Sequence, residues 1–407
     1  MRAQMFSSFI QLHFSADKPP SNVNLQQFLH SSIYHLPRKD EVLDKALAAM
    51  SCLYLGRINN DTRVFFHGIQ LYNDAIGILA KLIHRNTYTD AILYAAFIFQ
   101  ELAGFYSPSG LKSWSTHVSG MNAVLTHFHK RAPRNPVVDA IYNHQHKINI
   151  ILLSRGLDLS QVEYELVMEP TGGNPLLEIL QITVSIGKIQ SAVNSLDLTD
   201  HMACQELLQQ CYGAKESLMD LQNNGSFGEP PFEGTSTRFL ESQKMSIPAT
   251  EPLFGSAYSF SSQDNAMLYM MFWFNLIILQ PLIHRARFIA ETHINDNSPT
   301  DSIDDHDYLL SELYTNEIAR SIPYCLQESM KSSCIQVVLF VTSAISKIFL
   351  ELEDRDKFDW CQHVFQHMAD NGSESARHIV ALAKHQWEHR VSGQKRVISL
   401  SLRRQIS

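Results

Sequence analysis

The sequence predicts an all-α protein: a large multi-helix bundle of antiparallel helices with no significant sheet. Three observations carry this reading. In the clearest stretch, Phe65, Ile69, Tyr72, Ile76, Leu79 and Ile83 recur at alternating spacings of four and three, which holds them on one side of a 3.6-residue turn. No stretch alternates with period two, and no hairpin signature is present. Consecutive striped segments are joined by short connections, as in up-and-down helical neighbours. No fixed-period repeat is visible, which argues against a solenoid.

Taken in order, residues 1–36 read as two short helices split by Asp17-Lys18-Pro19-Pro20. Residues 42–130 read as four amphipathic helices. The first, about Glu41 to Leu55, buries Leu43, Ala46, Leu47, Met50 and Leu53, with Gly56 placed for a left-handed C-cap. Asp61 is placed to cap the second. Thr87 with Asp90 approximates a capping box for the third, AILYAAFIFQELA, which is apolar on most sides and so expected innermost. The fourth carries Trp114, Val118, Met121, Leu125 and Phe128 and ends before Pro133. A helical period resumes from Val137 to Leu153, and Pro170-Thr171-Gly172-Gly173 marks a turn in a loop over 154–174. Helices are expected over about 176–196 and 200–222.

Residues 223–263 change character. Asn-Asn-Gly, Glu-Pro-Pro and Ile-Pro punctuate a serine-rich stretch, which reads as a long surface loop, partly disordered. A helix over about 264–292 follows, with Pro281 inside it. Residues 295–317 hold seven Asp or Glu and no Lys or Arg, suggesting a solvated acidic loop entering a helix. Helices over about 306–331, 333–352, 357–370 and 374–391 close the pattern. The expected organisation is an N-terminal helical part over 1–222, the loop over 223–263, a C-terminal helical part over 264–391 and a basic tail over 392–407.

Composition narrows the function classes. With 45% hydrophobic and 18% charged residues the 407-residue chain is ordinary globular material. Its net charge of −8 and pI of about 6.2 have the wrong sign for a chain that lives on phosphate backbones. The six cysteines (Cys52, Cys204, Cys211, Cys325, Cys334 and Cys361) form no CxxC pair. They read as free, mostly buried thiols in a reducing compartment. No signal peptide is evident in Met1–Phe14, and Met267–Leu282 is too short and too interrupted to span a bilayer. A soluble intracellular protein is expected.

Candidate chemistry is sparse. His385-Gln386-Trp387-Glu388-His389 fits H-x-x-E-H, which places two histidines for one zinc and a glutamate to activate water. A third ligand is unmarked, and none of the 18 residues after His389 is Asp, Glu, His or Cys; the preferred reading is a basic last helix. The pairs His127/His129 and His144/His146 diverge at i, i+2 on a helix. Gly172-Gly173 lacks the lysine of a phosphate loop. The aromatic cluster over 254–274 could line a small-molecule pocket, but core packing is the preferred reading. No catalytic, cofactor-binding or metal residue is assigned, no cofactor is expected, and the chain is not expected to be an enzyme. The alternatives kept open are a helical metal-dependent hydrolase using His385, Glu388 and His389, and a non-catalytic helical scaffold.

An ordered set of short motifs points elsewhere. Ala46-Leu47-Ala48-Ala49-Met50-Ser51 with Leu55-Gly56-Arg57 resembles the AL-xx-S-xx-LGR signature of the fungal-specific transcription factor domain. Leu71-Tyr72-xx-Ala75-Ile76 with Leu79 is similar to its LY-xx-AL-xx-L segment. Trp114-xx-His117-Val118-x-Gly120, then Leu125, resembles its W-xx-H-x-x-G helix. Glu317-Ile318-Ala319-Arg320-Ser321-Ile322-Pro323-Tyr324 resembles EI-xRSI-xY, and Trp360-Cys361 with Phe365 resembles a late segment. The resemblance implies an all-helical regulatory region of zinc-cluster transcription regulators, located in the nucleus. It implies partners among the transcription machinery or a homologous regulator, and leaves room for a small-molecule effector. The family's zinc binuclear cluster needs six cysteines within about 30 residues; here none lies in the first 50. Direct DNA binding by this chain alone is therefore not expected, and an upstream segment carrying the cluster is a question for the gene.

Overall fold

The computed structural model describes residues 40–106, 111–129, six positions between 141 and 149, 173–195, 201–235, 247–250, 252–292, 305–327, 331–371, 373, 375–381 and 387. The protein is all-α, with one two-stranded antiparallel ladder among the described residues. Two compact units are present. The first comprises residues 1–148, 329–333 and 364–385; the second comprises 149–328, 334–363 and 386–407. The segment 223–263 thus lies inside the second unit.

In the first unit, α1 (Glu41–Ile58), α2 (Thr62–His84), α3 (Asp90–Tyr106) and α4 (Leu111–His129) follow the predicted order. As expected, α3 is innermost: every residue from Ala91 to Gln100 is buried. Its burial has one cost. Gln100 is fully buried, and neither end of its amide meets a hydrogen-bond partner among the described residues. The predicted stripe of α4, Trp114 to Phe128, is likewise buried.

Two glycines set the α1–α2 packing. A Cβ at Gly56 would lie 2.5 Å from the Phe65 backbone nitrogen, and one at Gly68 would lie 2.8 Å from that of Leu53. The helices therefore meet backbone to backbone, which only a residue without Cβ permits. Gly56 is not the left-handed cap expected of it; it lies inside α1. The left-handed residue is Asn60 (φ 52°). Its N–H bonds the Arg57 carbonyl at 3.2 Å while the Asp61 N–H bonds that of Gly56 at 2.7 Å, the two bonds of a Schellman closure. Asp61 then caps α2 as predicted, its Oδ1 accepting from the N–H groups of Arg63 and Val64. Asn86 (φ 53°) closes α2 in the same way. The start of α3 is held by the carbonyl of Thr89, which accepts from Ile92 and Leu93, rather than by a box from Thr87.

In the second unit, α5 (Pro175–Ser195) and α6 (His201–Asn223) pack on each other and on α7 (Gln263–Thr292). Asn174 caps α5, accepting from the N–H groups of Leu176 and Leu177. Then come α8 (Asp305–Cys325), α9 (Lys331–Glu351) and α10 (Arg355–Asp370), the last running from the second unit into residues of the first. The start of α8 at Asp305 agrees with the helix expected from about 306, into which the acidic segment runs. Two helical segments, Pro175–Val193 and Gln263–Arg287, are long and apolar enough to cross a membrane; 89% of the apolar window in the second is buried, so its apolarity serves the core.

The segment read as a surface loop differs most from expectation. Within it β1 (Phe232–Thr235) pairs with β2 (Ala257–Ser259), with a bulge between Glu233 and Thr235. Phe227, Ile247, Phe254, Ala257, Tyr258 and Phe260 are all buried. Its glycines serve turns: Gly225, Gly228 and Gly255 have φ of 79°, 71° and 94°, conformations that glycine adopts without penalty. Among the described large side chains near those turns, Phe227, Ile247 and Phe254 are core, while Phe232 is exposed.

Candidate functional site

With no catalytic or ligand residue assigned from sequence, the polar members of the motif set are the candidates. Tyr72 from α2 and His117 from α4 meet, hydroxyl to Nε2, at 2.6 Å. The edge of Phe99 from α3 closes on the phenol ring with 5.3 Å between centroids. Burial lowers the His117 pKa below the ordinary imidazole value and raises that of the Tyr72 phenol. Both shifts favour uncharged forms, so at neutral pH a neutral phenol and a neutral imidazole share this hydrogen bond. The pair joins two of the sequence motifs and works as a staple between helices. Gly120 of the same motif has open space where its Cβ would be, and the packing does not require a glycine there.

The EI-xRSI-xY helix supplies a second staple. Arg320, 12% exposed, sends NH1 to Glu317 at 3.2 Å and NH2 to Glu233 at 2.5 Å. Its Nε donates to the Ser256 carbonyl at 2.7 Å. The guanidinium lies 3.9 Å from the Tyr258 ring centroid, and the Tyr258 hydroxyl donates to Glu317 at 2.6 Å. Glu317 and Arg320 share one face of α8 by their i, i+3 spacing. One guanidinium thus fastens β1, the turn before β2 and β2 itself to a single helix. Tyr324, from the end of the motif, packs against Phe260 at 5.2 Å.

The late motif supplies a third. Trp360 is buried, its Nε1 donates to the Pro248 carbonyl at 3.0 Å, and its ring meets Phe254 at 5.0 Å. Beside it Lys357, 8% exposed, pairs with Glu312 at 2.7 Å and Asp354 at 3.7 Å. Asn265 from α7 holds the other end of the segment, donating to the carbonyls of Phe227 and Glu229. None of these residues presents a free nucleophile or an open ligand sphere. Tyr72, His117, Glu317, Arg320 and Trp360 of the motif set hold elements together.

The remaining sequence candidates are placed as follows. His385, Glu388 and His389 lie outside the described residues. Trp387, the centre of that pattern, packs against Phe358 at 5.0 Å with Arg355 4.6 Å from its ring centroid. Among the described residues no group of three His, Cys, Asp or Glu is arranged to hold a metal. His127 stacks on Tyr88 at 3.8 Å, and His144 reaches Glu101 at 3.1 Å. Gly172 is outside the described residues. The aromatic cluster is packed ring on ring: Phe227 against Tyr269 and Phe272, Phe260 against Tyr269, and Tyr258 on Trp273. Cys52, Cys204, Cys211, Cys325 and Cys361 form no disulfide among the described residues, and all but Cys52 are buried. Burial pushes the Cys211 thiol up to about 11 and that of Cys361 well above its ordinary value, the opposite of what a nucleophile needs.

What sequence reasoning missed here is the pairing. Tyr72 and His117 are 45 positions apart, and Glu233 and Arg320 are 87 apart; no periodic signal links residues at such separations. No protein-family model, curated protein or solved structure matches the chain.

Proposed function

We propose that the chain is the regulatory region of a transcription regulator or co-regulator of the fungal zinc-cluster type. It acts in the nucleus through contacts with other proteins, either the transcription machinery or a homologous regulator, and has room for a metabolite effector. It performs no catalysis and does not read DNA by itself. The observation that carries this reading is the ordered motif set from Ala46 to Phe365. The staple geometry supports it: residues from separate motifs, Tyr72 and His117, meet each other, and Arg320 and Trp360 fasten the carbonyls of Ser256 and Pro248. Motifs that recur because they hold a fold together are expected to behave in this way. The absence of CxxC pairs and the net charge of −8 support action through proteins over action on a duplex.

The test is tethering. The full chain is fused to an unrelated DNA-binding domain in a fungal host carrying the matching reporter. A change in reporter output relative to the DNA-binding domain alone is expected, with either sign. Unchanged output from a fusion that accumulates in the nucleus overturns the reading. Expected alongside is no retardation of duplex DNA by the purified chain at physiological salt.

A further inference from the structure

We draw no further inference here: the strongest candidate, the shallow groove of about 360 Å³ between α5 and α6 floored by Ile182, Ile189 and Ala214, carries none, because Ser185 and Ser217 at its rim donate to carbonyls of their own helices and nothing in the structure shows what covers it.

Discussion

Between Gly56 and Gly68 two helices meet backbone to backbone, whereas the described residues between Phe227 and Phe260 are held down by ring contacts, one guanidinium, one indole N–H and one side-chain amide. The first contact depends on the absence of side chains, so its strength is steric and local. The second depends on Arg320, Trp360 and Asn265 reaching across large sequence separations, so its strength is polar and distributed. The two kinds of attachment fail differently. A steric contact fails when an atom is added; a polar staple fails when a partner is removed. Tryptophans allow each to be followed apart, because Trp114 is in the first unit and Trp273, Trp360 and Trp387 are in the second.

The sharpest way to break the steric side is Gly56→Ala. Alanine is favoured over glycine within a helix by about 1 kcal/mol. Here the new Cβ would sit 2.5 Å from the Phe65 nitrogen. Backbone cannot rotate away, so the clash wins, with a net loss of about 2–3 kcal/mol. Gly77→Ala, on α2 with open space at its Cβ, is the control; it is expected to gain up to about 1 kcal/mol. Denaturant midpoints followed through Trp114 measure both. Equal signs for the two variants would mean that α1 and α2 do not approach as described.

The polar side breaks at Arg320→Ala. Removing one member of a fully buried ion pair costs about 3–5 kcal/mol. The exposed Glu233 keeps its hydration, so about 2 kcal/mol is expected here. The loss should appear in the emission of Trp273, which stacks on Tyr258, and leave the Trp114 transition in place. Arg320→Lys should recover little, because an ammonium cannot serve the Ser256 carbonyl, Glu317 and Glu233 from one rigid fork. Full recovery by lysine would reduce the staple to a point charge.

The same contrast explains what was legible in the sequence. The stripes of α2 and α4, the all-round apolarity of α3 and the Asp61 cap are signals within a turn or two of chain, and each was readable. The left-handed closure of α1 was misplaced because Asn60 takes the positive φ that Gly56 was expected to supply, and Asn86 and Glu353 do the same without any sequence signal having been read there. Residues 223–263 carried two readings: turn residues pointed to a surface loop, and the aromatic cluster from 254 pointed to core; for Phe254, Tyr258 and Phe260 the core reading holds. Tyr72, His117, Glu317 and Arg320 were visible as motif members, but their partners were not. The candidate site was therefore legible as a set of residues and illegible as an arrangement.

A smaller effect separates burial from bonding inside the innermost helix. Gln100 sits fully buried in α3 with both amide ends unmet among the described residues. A buried amide without a partner costs about 1–3 kcal/mol, so Gln100→Leu, which is close in volume and apolar, should raise stability by about 1 kcal/mol. Thermal melting of the variant checks the sign. A loss would mean that the amide is hydrogen-bonded in solution, and the first unit would then depend on polar attachment as the second does.

The smallest expected effect is the pH dependence of the Tyr72–His117 pair, a polar staple of the first unit. Burial holds the folded pKa of His117 below its ordinary value of 6.5. The unfolded chain therefore takes up the proton first as pH falls. Stability is full above about 6.5 and declines as pH drops from there through the folded pKa, below which the decline stops. His367, also in the first unit and also lowered chiefly by burial against the opposing pull of Asp370, acts with the same sign. His117→Gln keeps an acceptor for the Tyr72 hydroxyl and removes the titration. Unfolding free energies measured between about pH 7.5 and about pH 5 should then fall less steeply in the variant than in the parent, with the remainder due to His367. Identical slopes would place His117 in water, and with it the hydroxyl contact that ties α2 to α4.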